Sequence, residues 1–195
     1  MFIHGIFTVL SIVFFGIFWL ILMWRLYIMH KKNIEVLKVS KIGFLFLLLI
    51  WTSLFIYLSL DSVEVFILRD LWNVVTQPIV MMSLFLLGGV FQAIMWIGVL
   101  AMGKSWRVGI DDQNPGKLIT DGIFKISRNP IFFGLDGIVI VVLLLHPNIV
   151  FLIFSVGFIV GLHIQILREE KHLEKVYGEA YQEYKEKTSR YFYFF

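Results

Sequence analysis

Glu169 and Glu170 stand side by side after Arg168, where a long apolar run gives way to a charged one. On a helix, Gln165, Glu169 and His172 share one face, while His163, Leu167, Glu170 and Glu174 share another. A carboxylate placed where water begins to be excluded suits a ligand ammonium or a pair of ribose hydroxyls, and burial makes leaving it without a partner costly. The plainer reading is a solvated surface paired with Arg168, Lys171 and Lys175, which serves well for Glu174 and the residues beyond. Asp136 and His163 sit inside apolar runs, where ionisable groups are rare and default to functional candidates. For His163 a neutral imidazole bonded to a neighbouring helix is the simpler account; for Asp136 both accounts stay open. Upstream, the stretch from Gly103 to Lys125 mixes turn residues with charges, the mark of a structured loop. Taken alone, that loop reads as solvated, its lysines meeting lipid headgroups.

The elements that must position these residues are membrane helices. Of 195 residues 59% are apolar and 16% charged, with mean hydropathy +0.85, against about 45–50% and about 25% in an ordinary soluble domain. The absence of cysteine excludes disulfides, cysteine-ligated zinc, iron–sulfur clusters and thiol catalysis. A hydrocarbon core of about 30 Å needs about 20 apolar residues in a helix. Five runs qualify or nearly so: Ile6 to Ile28, Ile42 to Leu60, Ile79 to Met102, Ile131 to Leu145 and Ile149 to Leu167. The first lacks the basic n-region and small-residue cleavage site of a signal peptide, so it is expected to be retained. With five spans, sixteen of the seventeen Lys and Arg residues fall on one side, which puts the N-terminus outside and the C-terminus in the cytosol. The fourth run rises only about 22 Å. It either starts earlier, near Phe124, or forms a short hairpin with the fifth across Pro147. Both geometries bring Arg128-Asn129-Pro130 and Arg168-Glu169-Glu170 to the same cytosolic end. The expected fold is therefore all-α and polytopic, with residues 1–102 holding three spans and 103–195 a catalytic part in which helices four and five cap a cytosolic site.

Lys117-Leu-Ile-Thr-Asp-Gly122-Ile-Phe124, followed by Arg128-Asn129-Pro130-Ile131-Phe132, resembles one signature of the isoprenylcysteine carboxyl methyltransferase and phospholipid methyltransferase superfamily. Glu169-Glu170-Lys-His-Leu173, then Tyr177-Gly178, Tyr181 and Tyr184, resembles the second. Two motifs in the right order, one helical hairpin apart, cover about residues 103–192. The resemblance implies a membrane methyltransferase that uses S-adenosylmethionine, bound on the cytosolic side. It carries cofactor contacts over to Gly116, Lys117, Leu118, Ile119, Phe124, Asn129, Pro130, Ile131, Phe132 and Glu169, with Asp111 as the match for a glutamine-like position upstream. Arg128, Glu170 and Asp136 are the candidate catalytic residues; Asp136 would help an ammonium acceptor lose its proton. Gln165 and Arg168 are the candidate acceptor contacts, and no metal is expected.

Three positions depart from the carboxyl methyltransferases: Asn129 replaces histidine, Phe132 replaces tyrosine, and Gln165 replaces the arginine that holds the substrate carboxylate. An arginine clamp on a carboxylate is bidentate and charge-assisted, which glutamine does not reproduce. The expected acceptor is thus a membrane lipid or lipidated group, a carboxylate or an amine, and not isoprenylcysteine. Two other classes compete. A sterol-reductase-like enzyme would use NADPH, but the double glutamate is poorly suited to a 2′-phosphate, which wants arginine, and no Gly-x-Gly-x-x-Gly fingerprint is present. A non-enzymatic membrane protein retaining the fold would explain the three departures. The sequence pI of about 9.1 reflects loop lysines facing an anionic leaflet. No aromatics interleave with a basic strip, so no nucleic acid is expected. The expected location is a bacterial or archaeal plasma membrane.

Overall fold

The computed structural model describes residues 2–32, 74, 77–105, 117–145, 147 and 149–192. Among these the regular elements are helices: α1 (Phe2–Lys31), α2 (Pro78–Met102), α3 (Pro130–Leu145), α4 (Ile149–Tyr177) and α5 (Glu179–Lys187), with short 3-10 turns at Gly103–Ser105 and Gly122–Lys125. Three stretches are long and apolar enough to cross a membrane, Val9–Lys31, Pro78–Met102 and Leu152–Tyr177, while α3 is apolar but shorter. Helices α1 to α4 lie where the first, third, fourth and fifth apolar runs were expected. The second run, Ile42 to Leu60, falls outside the described residues.

Proline sets two helix starts. Pro78 and Pro130 open α2 and α3, positions where a missing N–H costs nothing and φ is already helical. Thus α3 starts at Pro130 and not near Phe124, whose residues form a separate 3-10 turn. Helix α4 runs past the expected end at Leu167 to Tyr177, since the charged stretch after Arg168 contains no glycine or proline before Gly178. Gly178 takes φ 53° and ψ −126° between α4 and α5, a combination that side chains with a Cβ rarely adopt. Gly178→Ala is expected to cost about 1–3 kcal/mol, seen as a lower unfolding midpoint in detergent.

Packing fixes the directions of the helices. Gln92 donates from Nε2 to the Phe14 carbonyl at 3.3 Å, and Arg25 donates from Nη2 to the Gly103 carbonyl. Both pairs are 78 residues apart, so α1 and α2 run parallel in constant register. The buried Arg25 also reaches a carbonyl just past the end of α2, where backbone acceptors lack helical partners. Helix α3 runs back against α2, and here small residues let the backbones approach. A Cβ on Gly98 would meet Ile131 at 2.7 Å, and one on Gly134 would meet the Phe91 carbonyl oxygen at 2.7 Å. Close approach at glycine is how helices pack in lipid, where burial of apolar surface supplies little drive. The main core gathers Phe14, Phe15, Met29, Met95, Trp96, Val99, Ile138 and Val142 among these three helices. The cytosol-facing expectation for Arg128 and Glu169 thus rests on the end of α2 beside Gly103, the start of α3 and the end of α4.

Candidate active site

A cavity of about 120 Å³ opens where these ends meet. Met102 and Ser105 contribute from the end of α2 and the turn after it, and Lys117, Leu118 and Ile119 from the irregular stretch 117–120. The Lys117 N–H donates to Ser105 Oγ at 3.3 Å, joining these two walls. Phe124 closes the floor, 6% exposed. Residues 128–132 form the wall at the start of α3, and Glu169, Leu173 and Tyr177 the wall on α4, at helical spacing. Tyr181 and Tyr184 complete it from α5, with the Tyr184 hydroxyl donating to the Phe124 carbonyl at 2.7 Å.

The two adjacent glutamates have different surroundings. Glu169 lines the cavity, and its hydrogen-bond partner is Gln165, whose Nε2 donates to Oε1 at 2.9 Å. Glu170, about 100° further round the helix, points away from the cavity and is 5% exposed. Arg128 donates to its Oε1 from Nε at 3.3 Å and Nη2 at 3.2 Å, and Asn129 from Nδ2 at 3.1 Å. Arg190 donates from Nη2 to Oε2 at 3.0 Å and from Nε to both oxygens at 3.2 Å. Arg128 also holds the Lys185 carbonyl, at 3.1 Å, and the Thr188 carbonyl through Nη1. Burial next to the Glu170 charge pushes the Tyr181 phenol up to about 12, and burial raises Tyr184 further. Both phenols therefore stay protonated near neutral pH; Tyr184 donates to the Phe124 carbonyl, and the Tyr181 hydroxyl is buried with no hydrogen-bond partner among the described residues.

The family described as phospholipid methyltransferase matches residues 76–180, more than half of the chain and all of α2, α3 and α4. The chain belongs to that family. No curated protein and no solved structure gives a match. Membership in the phospholipid methyltransferase family implies methyl transfer at a membrane, in keeping with the apolar helices.

Of the cofactor contacts expected for this family, Lys117, Leu118, Ile119, Phe124, Asn129, Pro130, Ile131, Phe132 and Glu169 all line the one cavity. Asp111 and Gly116 lie outside the described residues. Arg128 and Glu170 come together as a buried ion pair, with side chains 8% and 6% exposed. Gln165 sits one turn from Glu169 and holds it, whereas Arg168 is exposed and away from the cavity. Asp136 lies one turn beyond Phe132 in α3, outside the cavity lining. Its Oδ1 is buried with no hydrogen-bond partner among the described residues. Among the described residues the partner of His163 is not a neighbouring helix but Tyr191, on the segment after α5, whose hydroxyl is 2.8 Å from Nδ1. Sequence reasoning passed over Leu173, Tyr177, Tyr181 and Tyr184 as cavity walls. Their signal was the spacing itself, since Glu169, Leu173 and Tyr177 repeat every four residues along one face. Arg190 carried no such signal, because its partner is reached only through the fold.

Proposed function

We propose that the chain is an S-adenosylmethionine-dependent methyltransferase whose acceptor is a membrane lipid or a lipidated group, amine or carboxylate. The observation that carries this reading is the Glu169 carboxylate, facing a cavity walled by Leu118, Ile119, Phe124 and Phe132 and held, among the described residues, by the neutral Gln165 amide. Flat apolar walls suit an adenine, and a carboxylate with unused acceptor capacity suits the ammonium of the methionine part. When bound, S-adenosylmethionine supplies a methyl group already activated on a sulfonium. The protein's own share is to hold the two ends, exclude water and align an acceptor behind the methyl; such alignment contributes about 7–11 kcal/mol. A cavity of about 120 Å³ is smaller than the roughly 300–1,000 Å³ that encloses a drug-sized ligand, so binding has to widen it. Arg128 and Glu170, spent on each other and on backbone carbonyls, act in this reading as positioning residues behind the wall.

Five spans with a cytosolic site remain the topology we favour. It is supported by the parallel run of α1 and α2, which lets both start on the same side. In this reading the end of α2, the start of α3 and the end of α4 share the cytosolic side, in keeping with the antiparallel α2–α3 packing. On this reading residues 103–195 are the catalytic part and 1–102 its membrane scaffold, joined at Met102. An acceptor with a long apolar tail enters sideways between helices.

Calorimetry with S-adenosylmethionine on the detergent-purified protein tests the reading, with a reduced nicotinamide cofactor as comparison. Saturable binding of the first supports it; binding of the second alone would replace it with a membrane reductase, and binding of neither with a non-enzymatic role. Asp136 is assigned as proton acceptor for an amine, about 6 Å along α3 from Phe132 by helical rise. Asp136→Asn is then expected to slow transfer of labelled methyl to extracted lipids by about a hundredfold without weakening cofactor binding. An unchanged rate would point to a carboxylate acceptor, which needs no base.

A further inference from the structure

We propose that Arg190 is a positioning residue that sets the Asn129–Pro130 wall of the cavity, through a strap formed by residues 188–190. This rests on the cofactor reading above. Arg190 lies beyond the 76–180 stretch that matches the family, so nothing in the family motif assigns it a part.

Its two ends grip two different elements. The guanidinium forks onto both oxygens of Glu170 on α4. Its backbone carbonyl accepts from the segment leading into α3: the Asn129 N–H at 3.2 Å, the Asn129 Nδ2 at 3.3 Å and the Ser127 hydroxyl at 3.2 Å. Asn129 Nδ2 also donates to Glu170 Oε1. Asn129, Glu170 and Arg190 thus form a closed ring of hydrogen bonds. The neighbouring strap carbonyls fasten the same segment again, with the Arg128 N–H on Ser189 at 2.9 Å and the Arg128 side chain on Thr188. Ser127 N–H bonds back to the Ile123 carbonyl at 3.2 Å, but the Arg128 and Asn129 N–H groups, ahead of the first turn of α3, have no helical acceptor. The strap supplies those partners, and Asn129 and Pro130 face the cavity with their place fixed from behind.

The ring also divides the two glutamates electrostatically. Glu170 is met by two guanidinium groups, while among the described residues the partner of Glu169 is an amide. The negative charge presented to the cavity is therefore that of Glu169, which suits the cationic part of a ligand. Arg190 itself is held more firmly protonated by its bonds to Glu170, and a fork of this kind is not reproduced by lysine.

The test measures S-adenosylmethionine Kd by calorimetry and thermal unfolding for the full chain, Arg190→Ala and Arg190→Lys. Expected are a Kd at least tenfold weaker in Arg190→Ala with an intact unfolding transition, an intermediate Kd in Arg190→Lys, and partial recovery of Arg190→Ala by millimolar methylguanidinium. A role in bulk stability alone would not respond to methylguanidinium at constant midpoint. Unchanged affinity in Arg190→Ala overturns the proposal. If Arg190→Ala fails to fold, Arg190→Lys decides: folded with weakened binding supports it, and folded with full binding, or unfolded, overturns it. Absence of binding by the unsubstituted chain would instead sink the cofactor reading, a result distinct from all of these.

Discussion

Glu169→Gln should weaken S-adenosylmethionine binding by roughly tenfold to a hundredfold, the equivalent of losing one hydrogen bond to a charged group, about 1.5–3 kcal/mol. The substitution keeps the size of the side chain and its reach to Gln165. It removes only the negative charge that faces the cavity. Because Glu170 is already matched by Arg128 and Arg190, it does not rotate out to substitute, and the buried ring behind the wall stays closed. Folding should therefore be unaffected, with the unfolding midpoint equal to that of the unsubstituted protein. Glu170→Gln offers the contrast: its loss falls on the buried ion pair, so it should lower the midpoint together with the affinity. Equal affinity in Glu169→Gln and the parent would remove the site from this cavity.

The second large effect concerns packing, far from any charge. A Cβ at Gly134 would sit 2.7 Å from the Phe91 carbonyl oxygen and 2.8 Å from the Met95 nitrogen. Both are backbone atoms of α2, so no rotamer change relieves the clash and the helices have to part. Gly134→Ala is expected to cost about 3 kcal/mol, the upper end for overpacking, and to spoil the cavity as well, since α3 carries Pro130 to Phe132 into its wall. Gly89 lies on the same helix as Phe91, yet a Cβ there meets nothing within 4 Å. Gly89→Ala should leave the midpoint unchanged or raise it slightly, as alanine favours a helix over glycine by about 1 kcal/mol. Equal midpoints for the two alanine variants would contradict the tight α2–α3 contact.

The two levels of organisation differ in how far they can be read without coordinates. Helices α1 to α4 were legible because long uninterrupted apolar runs are what a membrane demands, and prolines at 78 and 130 mark starts. The cavity's first layer was legible through motif order. What was not legible is the direction of Arg128. Arg128 lies two residues ahead of α3, which begins at Pro130, so helical periodicity gives it no direction, and it turns toward Glu170, 42 residues away. The opposite assignments of Glu169 and Glu170 were hidden for a related reason. Adjacent helical residues point about 100° apart, but which of the two directions meets the ligand depends on where α3 and the strap lie. Asp136 was visible as an acid within an apolar run, yet Tyr191, which comes near it and bonds to His163, is brought there only because the chain after α5 folds back.

That fold-back carries a consequence for the order in which the molecule is made. Synthesis proceeds from the N-terminus at about 5–20 residues per second, and Arg190 follows Glu170 by 20 residues. For about 1–4 s Glu170 has Arg128 and Asn129 without Arg190, and Asn129 lacks the carbonyl that anchors it. Helices α1 to α4 have by then been made, so the apolar scaffold precedes completion of the wall. The nascent chain is in effect a scaffold with an unlatched wall, and the latch closes only once residues 188–190 follow.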